Sequence, residues 1–320
     1  MVTGTTWWFI ASCGVSKETA IVLLLALAWD TVFGEPPGWA HPVIWLGRMV
    51  ELFKRLAPTK GQYRQLFYGL FGVLLSVGLA FWLTSLLVNL LQNAPAPVRW
   101  LIEVYLFKGC FSLRMLAQVG LKVAGYVKVG DIDVARTELC SLVSRDTTKL
   151  NQDLILAATI ESIAENTTDS FVAPLFFYAL LGLPGVLTYR LVNTFDSMVG
   201  YRGKYEYLGK TAARLDDILN FVPARLTTLL FILNAPLYQA DSVHACKIAR
   251  RDHHRTASPN AGWTMAAMAG ALHVRLEKTG FYTLGDPEAV LSPALVSQAV
   301  RAMYLVATEL SLLLGLVTLI

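Results

Sequence analysis

Between Glu161 and Arg225, three groups of ionisable residues alternate with apolar sequence. Glu161, Glu165 and Asp169 recur at every fourth residue, which on a helix would put all three carboxylates on one face. Such a face repels itself unless a cation or an arginine lies among the acids. A hard divalent ion such as Mg²⁺ suits it, because Mg²⁺ takes oxygen ligands and bridges a few carboxylates to substrate phosphates. An exposed acidic stripe on a surface helix has the same spacing. Further on, Asn193, Asp196 and Ser197 offer ligands for a metal or a polar group, and Tyr201, Arg202 and Lys204 offer donors for phosphate or carboxylate. Arg214, Asp216, Asp217, Asn220 and Arg225 follow within about three helical turns. They read either as more of the same site or as internal salt bridges. Arg145, with Lys149 nearby, brings the planar donor fork that recognises phosphate or carboxylate; the Arg145-Asp146-Thr147 tripeptide reads equally as a helix cap. Asp30, Glu35 and His41 gather around a double-proline turn, where His41 is either a hydrogen-bonded structural residue or a catalytic base.

These residues must be positioned by helices that lie in a membrane. Of the 320 residues 55% are hydrophobic and only 16% charged, against roughly 25% charged in soluble domains. The mean hydropathy of +0.50 agrees. The expectation is an all-α polytopic integral membrane protein with about four to six membrane segments. Ionisable residues beside hydrocarbon are costly, which marks the Glu161–Arg225 stretch as a functional site. The net charge of +4 is too small to imply nucleic acid and fits basic cytoplasmic loops. The four cysteines are scattered, so they read as small buried hydrophobes rather than disulfides or zinc ligands.

Along the chain, Trp7-Trp8-Phe9 reads as an interfacial anchor on a retained N-terminus. Ala20–Val32 is apolar but short and is closed by Gly34-Glu-Pro-Pro-Gly38. His41–Arg64 is basic and amphipathic, as a cytoplasmic surface helix would be. Leu66–Leu91 carries no charge and exceeds the roughly 20 residues a span needs. Val98–Phe111 is marginal because Glu103 and Lys108 interrupt it. From Ser112 to Asn166 the mixed charges indicate solvent-facing amphipathic helices. Phe171–Val192 contains Gly182-Leu-Pro-Gly185, and the favoured reading is a re-entrant hairpin that returns the acidic groups on either side of it to one membrane face. Pro223–Tyr238 and a C-terminal span at Ala302–Ile320 complete the membrane part. No Walker P-loop, GxSxG or HExxH motif is present, so a nucleotide site would have to be built from dispersed Arg, Lys and Mg²⁺ ligands.

Asp30-x-x-Phe33-Gly34-Glu35-Pro36-Pro37 followed by His41-Pro42-Val43 resembles the opening signature of the adenosylcobinamide-phosphate synthase family of cobalamin biosynthesis, the CbiB/CobD-type membrane proteins. The resemblance runs on, in order, through Arg145-Asp146-Thr147, Glu161-x-x-x-Glu165-Asn166-Thr167-x-Asp169 and Ala173-Pro174-Leu175. It continues in Gly182-Leu183-Pro184-Gly185, Asn193-Thr194-x-Asp196-Ser197-Met198-x-Gly200-Tyr201 and Ala213-Arg214-Leu215-Asp216-Asp217-x-x-Asn220. Pro223-Ala224-Arg225 and Ser258-Pro259-Asn260-Ala261-Gly262 complete it. The matching blocks cover residues 30–285 within what reads as a single membrane-embedded catalytic domain, 1–320, ending in the span 302–320. Phe195 stands where the family pattern has an aliphatic residue.

The resemblance implies an acid–amine ligase. Such enzymes use ATP to join the free propionate of adenosylcobyric acid to (R)-1-aminopropan-2-ol phosphate or ethanolamine phosphate, giving adenosylcobinamide phosphate. On that reaction, Glu161, Glu165 and Asp169, with Asp216 or Asp217, would hold Mg²⁺ against ATP. Arg145, Arg202, Arg214 and Arg225 would clamp phosphates. Lys149, Asn166, Asn193, Ser197, Tyr201 and Asn260 would complete substrate binding, and Asp196 or His41 would take the ammonium proton. Tyr201, Tyr205 and Trp263 are candidate corrin contacts. The setting would be the cell (inner) membrane, multi-pass, with the site toward the cytoplasm and other late cobalamin-pathway enzymes as partners. Two rival readings share the broken apolar segments: a transporter of a corrinoid or phosphorylated amine, and an intramembrane Mg²⁺-dependent transferase.

Overall fold

The computed structural model describes residues 17–201, 203 and 205–318. Trp7-Trp8-Phe9, Arg202 and Lys204, singled out above, lie outside the described residues. Among the described residues the chain is all-α apart from one small hairpin, and it forms two compact units, each discontinuous in sequence. One unit holds Met1–Ser112, Ala173–Leu219 and Ser311–Ile320; the other holds Leu113–Val172 and Asn220–Leu310.

In the first unit, the described part of α1 (Lys17–Val32) has 16 residues, or about 24 Å at 1.5 Å per residue. Gly34, at φ 73°, ends the helical path ahead of the double proline. α2 (Pro42–Leu56) starts on His41, whose Nδ1 accepts the Val43 N–H at 3.2 Å, with Pro42 supplying a pre-set first turn. α3 (Gln62–Leu91) runs for 30 residues. Phe67, Phe71, Leu75, Trp82 and Leu90 are exposed along it, a surface that only lipid solvates favourably. α4 (Ala96–Lys108) has 13 residues and is too short to span. The core of this unit joins Val50, Phe53, Val73, Leu191, Phe195, Val199, Leu208 and Ala212. Phe195, the aromatic departure from the family pattern, fills it edge-on against Phe53 at 5.1 Å. α9 (Lys210–Leu219) closes this part of the chain.

α8 (Ala173–Val199) contains the break anticipated at Gly-Leu-Pro-Gly. Gly182 has φ 62° and ψ −153°, outside the helical region. The rings of Phe177 and Tyr189 stack with centroids 5.0 Å apart, whereas twelve residues of unbroken helix would separate them by about 18 Å. A Cβ on Gly185 would lie 2.6 Å from the Phe177 carbonyl oxygen. The chain therefore reverses at Gly182, and α8 is two arms packed against each other.

In the second unit, α5 (Leu113–Lys128) buries one stripe, including Leu116, Gly120, Val123 and Val127, and α6 (Ile132–Leu139) is capped by the Asp131 carboxylate accepting from Val134 N–H. α7 (Gln152–Thr167) departs from expectation. The region Ser112–Asn166 reads as solvent-facing, but every residue from Ile155 to Ala164 is buried. Ala157, Ala158 and Ala164 keep the helix slim, and Gly120 lets α5 approach until a Cβ there would sit 2.9 Å from Ile163 Cδ1. A π-helical turn (Thr168–Val172) follows. α10 (Phe221–Asn234), α11 (Ser242–Asp252), α12 (Ala261–Ala271) and the start of α13 (Pro293–Val317) complete the unit. The strands β1 (Leu276–Lys278) and β2 (Tyr282–Leu284) pair antiparallel with Lys278 opposite Tyr282. Asp252, fully buried, anchors this hairpin: it accepts Gly285 N–H at 2.8 Å and takes Arg251 on both oxygens. Glu309, the one acid in the last apolar helix, is held by the Asn234 amide at 2.6 Å.

Four described stretches are long and apolar enough to cross a bilayer: Gln62–Leu91, Gln152–Val199, Phe221–Tyr238 and Pro293–Val317. The last begins nine residues before the expected Ala302, and Val98–Phe111 is not among them. The protein is a polytopic α-helical membrane protein. Because the Gly182 backbone lies in a region costing a non-glycine residue roughly 1–3 kcal/mol, Gly182→Ala is expected to lower the melting temperature of the detergent-solubilised protein, while Gly78→Ala, with open space around its Cβ position, leaves it unchanged or raises it.

Candidate functional site

The acidic helix face is assembled in the second unit. Glu161 is buried, and its Oε2 receives Arg145 Nη2 at 2.7 Å. Its Oε1 is also buried and has no hydrogen-bond partner among the described residues. An unpartnered anionic oxygen away from water is costly, and such an atom points to an absent donor or cation. Glu165 and Asp169 are half-buried. Asp169 falls within the π-helical turn, so it does not continue the every-fourth-residue register of the two glutamates; π turns of this kind occur frequently at functional sites. The hairpin packs against α7 and brings Tyr282, which no sequence signal identified. Burial pushes the Tyr282 hydroxyl's pKa up, and the charges of Glu161 and Glu165 push it further. Lys278 acts electrostatically on Glu161 from the same hairpin.

The loop that delivers Arg145 is stiff. Asp146 Oδ1 accepts from both the backbone N–H and the hydroxyl of Thr148, at 2.9 and 2.7 Å. Thr147 is buried and donates to the Arg136 carbonyl at 3.0 Å. The tripeptide is thus a turn-former that also supplies a site arginine, while Lys149 is exposed. Asn166 donates to Ser162 at 2.9 and 3.0 Å, one helical turn back.

Arg225 and Asn260 meet in the same unit: Arg225 Nη1 donates to Asn260 Oδ1 at 2.8 Å. The guanidinium lies 3.6 Å over the Phe221 ring and 5.5 Å from that of Trp263. His253 stacks on Trp263 at 3.9 Å and 9°. Gly262 is required for this approach, since a Cβ there would sit 2.0 Å from the His253 carbonyl oxygen. The result is a flat aromatic platform bearing a cation, suited to planar or anionic ligands.

The first unit holds the remaining predicted residues. Arg190 donates to Asn193 Oδ1 at 3.0 Å, and Asn193 donates to Asp216 Oδ1 at 3.3 Å. Arg190 escaped the sequence reading because it lies inside an apolar run. Asp196 sits in the last turn of α8 against Gly200, where a Cβ would approach its Oδ1 to 2.0 Å. Ser197 and Tyr201 are exposed. Arg214 is 74% exposed and only loosely paired with Asp217 at 3.8 Å.

A second polar centre in this unit was half legible. Glu35 Oε2 lies 3.1 Å from His41 Nε2 and 3.0 Å from Lys108 Nζ, and Ser112 donates to its Oε1 at 2.7 Å. Lys108 has no exposed surface and also reaches Asp30 at 3.1 Å. In sequence, Lys108 only interrupted an apolar run, yet it ties together the double-proline motif. Both nitrogens of His41 are engaged, one by the Val43 N–H and one by Glu35. Burial alone would raise the Glu35 pKa. The hydrogen bonds from His41, Ser112 and Lys108, and the charge of Lys108, outweigh it and bring the pKa from 4.5 down to about 2. A lowered folded-state pKa stabilises the fold above the unfolded value and loses that stabilisation as pH falls through the folded one. Glu35→Gln is therefore expected to reduce the melting temperature at neutral pH. It should also flatten the acid-induced loss of stability between pH 4.5 and about 2, as followed by thermal melts across pH.

For a divalent ion, the donors in the second unit are hard oxygens, and Glu161 Oε1 is the buried atom without a partner. That chemistry fits Mg²⁺. Glu161, Glu165 and Asp169 do not, however, come within 4.8 Å of one another as a set of three, and neither do Asp216 and Asp217 with a third acid among the described residues. A few carboxylates completed by substrate phosphate and water is the arrangement Mg²⁺ ordinarily takes.

Residues 23–303 match the family model described as CobD/Cbib protein. The chain is 48% identical over 280 residues to the "Cobalamin biosynthesis protein CobD" of Dehalococcoides mccartyi (strain CBDB1), covering 88% of this chain and 91% of that one. It is 45% identical over 269 residues to the "Probable cobalamin biosynthesis protein CobD" of Methanothermobacter thermautotrophicus, with 83% and 86% covered. A protein of the same description in Methanocaldococcus jannaschii is 38% identical over 273 residues. No solved structure matches. The matched range contains every candidate site residue described above, and the chain belongs to the CobD/Cbib family of cobalamin-biosynthesis proteins.

Proposed function

We propose that this protein is the ATP-dependent ligase that joins the free propionate of adenosylcobyric acid to the amine of 1-aminopropan-2-ol phosphate or ethanolamine phosphate. The observation that carries the reading is family membership across residues 23–303. The Glu161–Arg145 pair, with its unpartnered buried oxygen, adds a local chemical reason. A carboxylate does not lose its oxygen readily, so the propionate first attacks the γ-phosphorus of ATP, releasing ADP and forming an acyl phosphate. The amine then attacks the acyl carbon, phosphate leaves, and the ammonium proton passes to a base. We place the site at the cytoplasmic face of the cell membrane, where ATP is available and where the basic stretch Arg48–Arg64 would lie.

Glu161, Glu165 and Asp169 would hold Mg²⁺, which neutralises charge on the nucleotide phosphates when bound. Arg145 orients Glu161 and offers its remaining donors to phosphate. Arg225, steadied by Asn260 and Phe221, presents a fixed cation beside the Trp263 ring, which suits the anionic, partly planar corrinoid. Arg214, exposed and loosely paired, would offer its donor fork to the phosphate of the amine. Asp196 serves better than His41 as the proton acceptor, since His41 is committed to capping α2 and to Glu35.

The test is formation of adenosylcobinamide phosphate by the detergent-purified protein with ATP, Mg²⁺, adenosylcobyric acid and each amine in turn. Product with neither amine overturns the reading; because detergent leaves no second compartment, product with either also excludes simple transport. Asp169→Asn is expected to abolish or strongly reduce turnover, and chelation of Mg²⁺ should do the same to the unaltered protein. An Asp196→Asn variant should lose roughly 10²–10⁴-fold in kcat with little change in the KM for ATP. Full activity in that variant would remove Asp196 from the role of base.

A further inference from the structure

Away from these groups, the second unit carries a cluster of imidazoles and carboxylates that the proposed ligation leaves without a role. Asp241 caps α11 through its Oδ1, which accepts from Val243 and His244 N–H at 2.8 and 2.9 Å. Its Oδ2 is left facing His273 Nε2 at 3.3 Å. The other nitrogen of His273, Nδ1, lies 2.6 Å from Glu288 Oε2. His244 packs its ring against that of His273 with centroids 4.3 Å apart, and its Nε2 is buried with no hydrogen-bond partner among the described residues. One ligand atom from each of Asp241, His244 and His273 falls within a 4.8 Å set.

From these positions we infer that Asp241, His244 and His273 form a binding site for a divalent first-row transition metal of the Zn²⁺ class. Two imidazoles and one carboxylate are donors such ions prefer to Mg²⁺ or Ca²⁺. Metal–ligand bonds of about 2.0–2.1 Å at tetrahedral angles place neighbouring donors about 3.3 Å apart, the separation of Asp241 Oδ2 and His273 Nε2. Glu288 stands where an outer carboxylate would orient a ligating histidine through its second nitrogen. Asp286, the remaining acid nearby, is claimed by Arg251 at 2.8 and 3.1 Å, which leaves Asp241 and Glu288 as the carboxylates facing the two imidazoles.

The backbone holds the donors in place independently of an ion. Asp241 N–H donates to the Ala271 carbonyl at 3.1 Å, and Ala289 N–H donates to that of His273 at 2.7 Å. His273 occupies the left-handed region at φ 55°, a conformation few non-glycine residues keep unless their surroundings demand it. Three protein ligands leave a fourth position for water or an exogenous group, as in open zinc sites. Nothing in the sequence joins these residues, because His273 lies 29 positions beyond His244.

The test is metal binding by the full-length, untagged protein in detergent, stripped with chelator and titrated with Zn²⁺ and Co²⁺ alone. The expected result is one equivalent of Zn²⁺ bound in competition with a chromophoric chelator, a Co²⁺ visible spectrum of tetrahedral intensity, and a rise in melting temperature with Zn²⁺. His244→Ala and His273→Ala should each weaken binding by at least tenfold, and Cys246→Ser should not. The His variants are compared at matched far-UV circular dichroism, and Asp241→Asn, which keeps a capping oxygen, serves as the variant least disturbing to the fold. No binding by the unaltered protein, or a full equivalent retained with unchanged affinity in the three variants, overturns the assignment.

Discussion

Lys108 has no exposed surface, and its ammonium lies among the carboxylates of Asp30 and Glu35 and the carbonyl of Phe111. Taking that charge out of water costs several kcal/mol unless the compensation is close to complete. The compensation sets what the chain around it can do. Glu35 must stay ionised, so it collects His41 and Ser112 as well. His41 must face Glu35, so the double-proline turn must bring it there, and its other nitrogen then starts α2. The motif, which reads in the sequence as either a hydrogen-bonded structural group or a catalytic one, thereby holds α1, α2 and α4 together.

The second unit obeys the same constraint. Asp252 is fully buried and takes Arg251, Arg255 and Gly285 N–H, and that network fixes the β-hairpin. Glu309 is tolerated in an apolar helix because Asn234 meets it. The Glu161–Arg145 pair differs, since one carboxylate oxygen is left without a partner. An incomplete match of this kind is where a ligand contributes energy. The same logic singles out His244, whose buried Nε2 has no hydrogen-bond partner among the described residues.

The residue types of the candidate site were legible; their arrangement was legible only in part. Glu161 and Glu165 share a helix as their spacing indicates, but the π-helical turn at Thr168–Val172 takes Asp169 out of register, and backbone hydrogen bonding of that kind leaves no mark on hydropathy or spacing. Lys108 was read as an interruption of an apolar run and Arg190 was passed over inside another, because a charge in such a run is informative only once its partner is known. Tyr282 reaches the glutamates from a three-residue strand, too short for an alternating pattern to register. α7 looked solvent-facing because it carries Asp153, Glu161 and Glu165, while the small residues that let it sink into the unit carry no polarity signal.

By itself the sequence determined that this is an all-α membrane protein, where its helices break, and to which family it is related. These follow from local quantities: the free energy of moving a run of side chains into lipid, the backbone freedom of glycine at Gly182, and the residue types of ordered motifs. Only the tertiary structure decided which charges neutralise one another, which histidines are spent on capping or stacking, and which polar atoms remain unmatched. Those outcomes depend on distances between residues remote in sequence, such as Lys108 from Glu35 or His273 from Asp241, and burial makes each such distance worth far more than it would be in water.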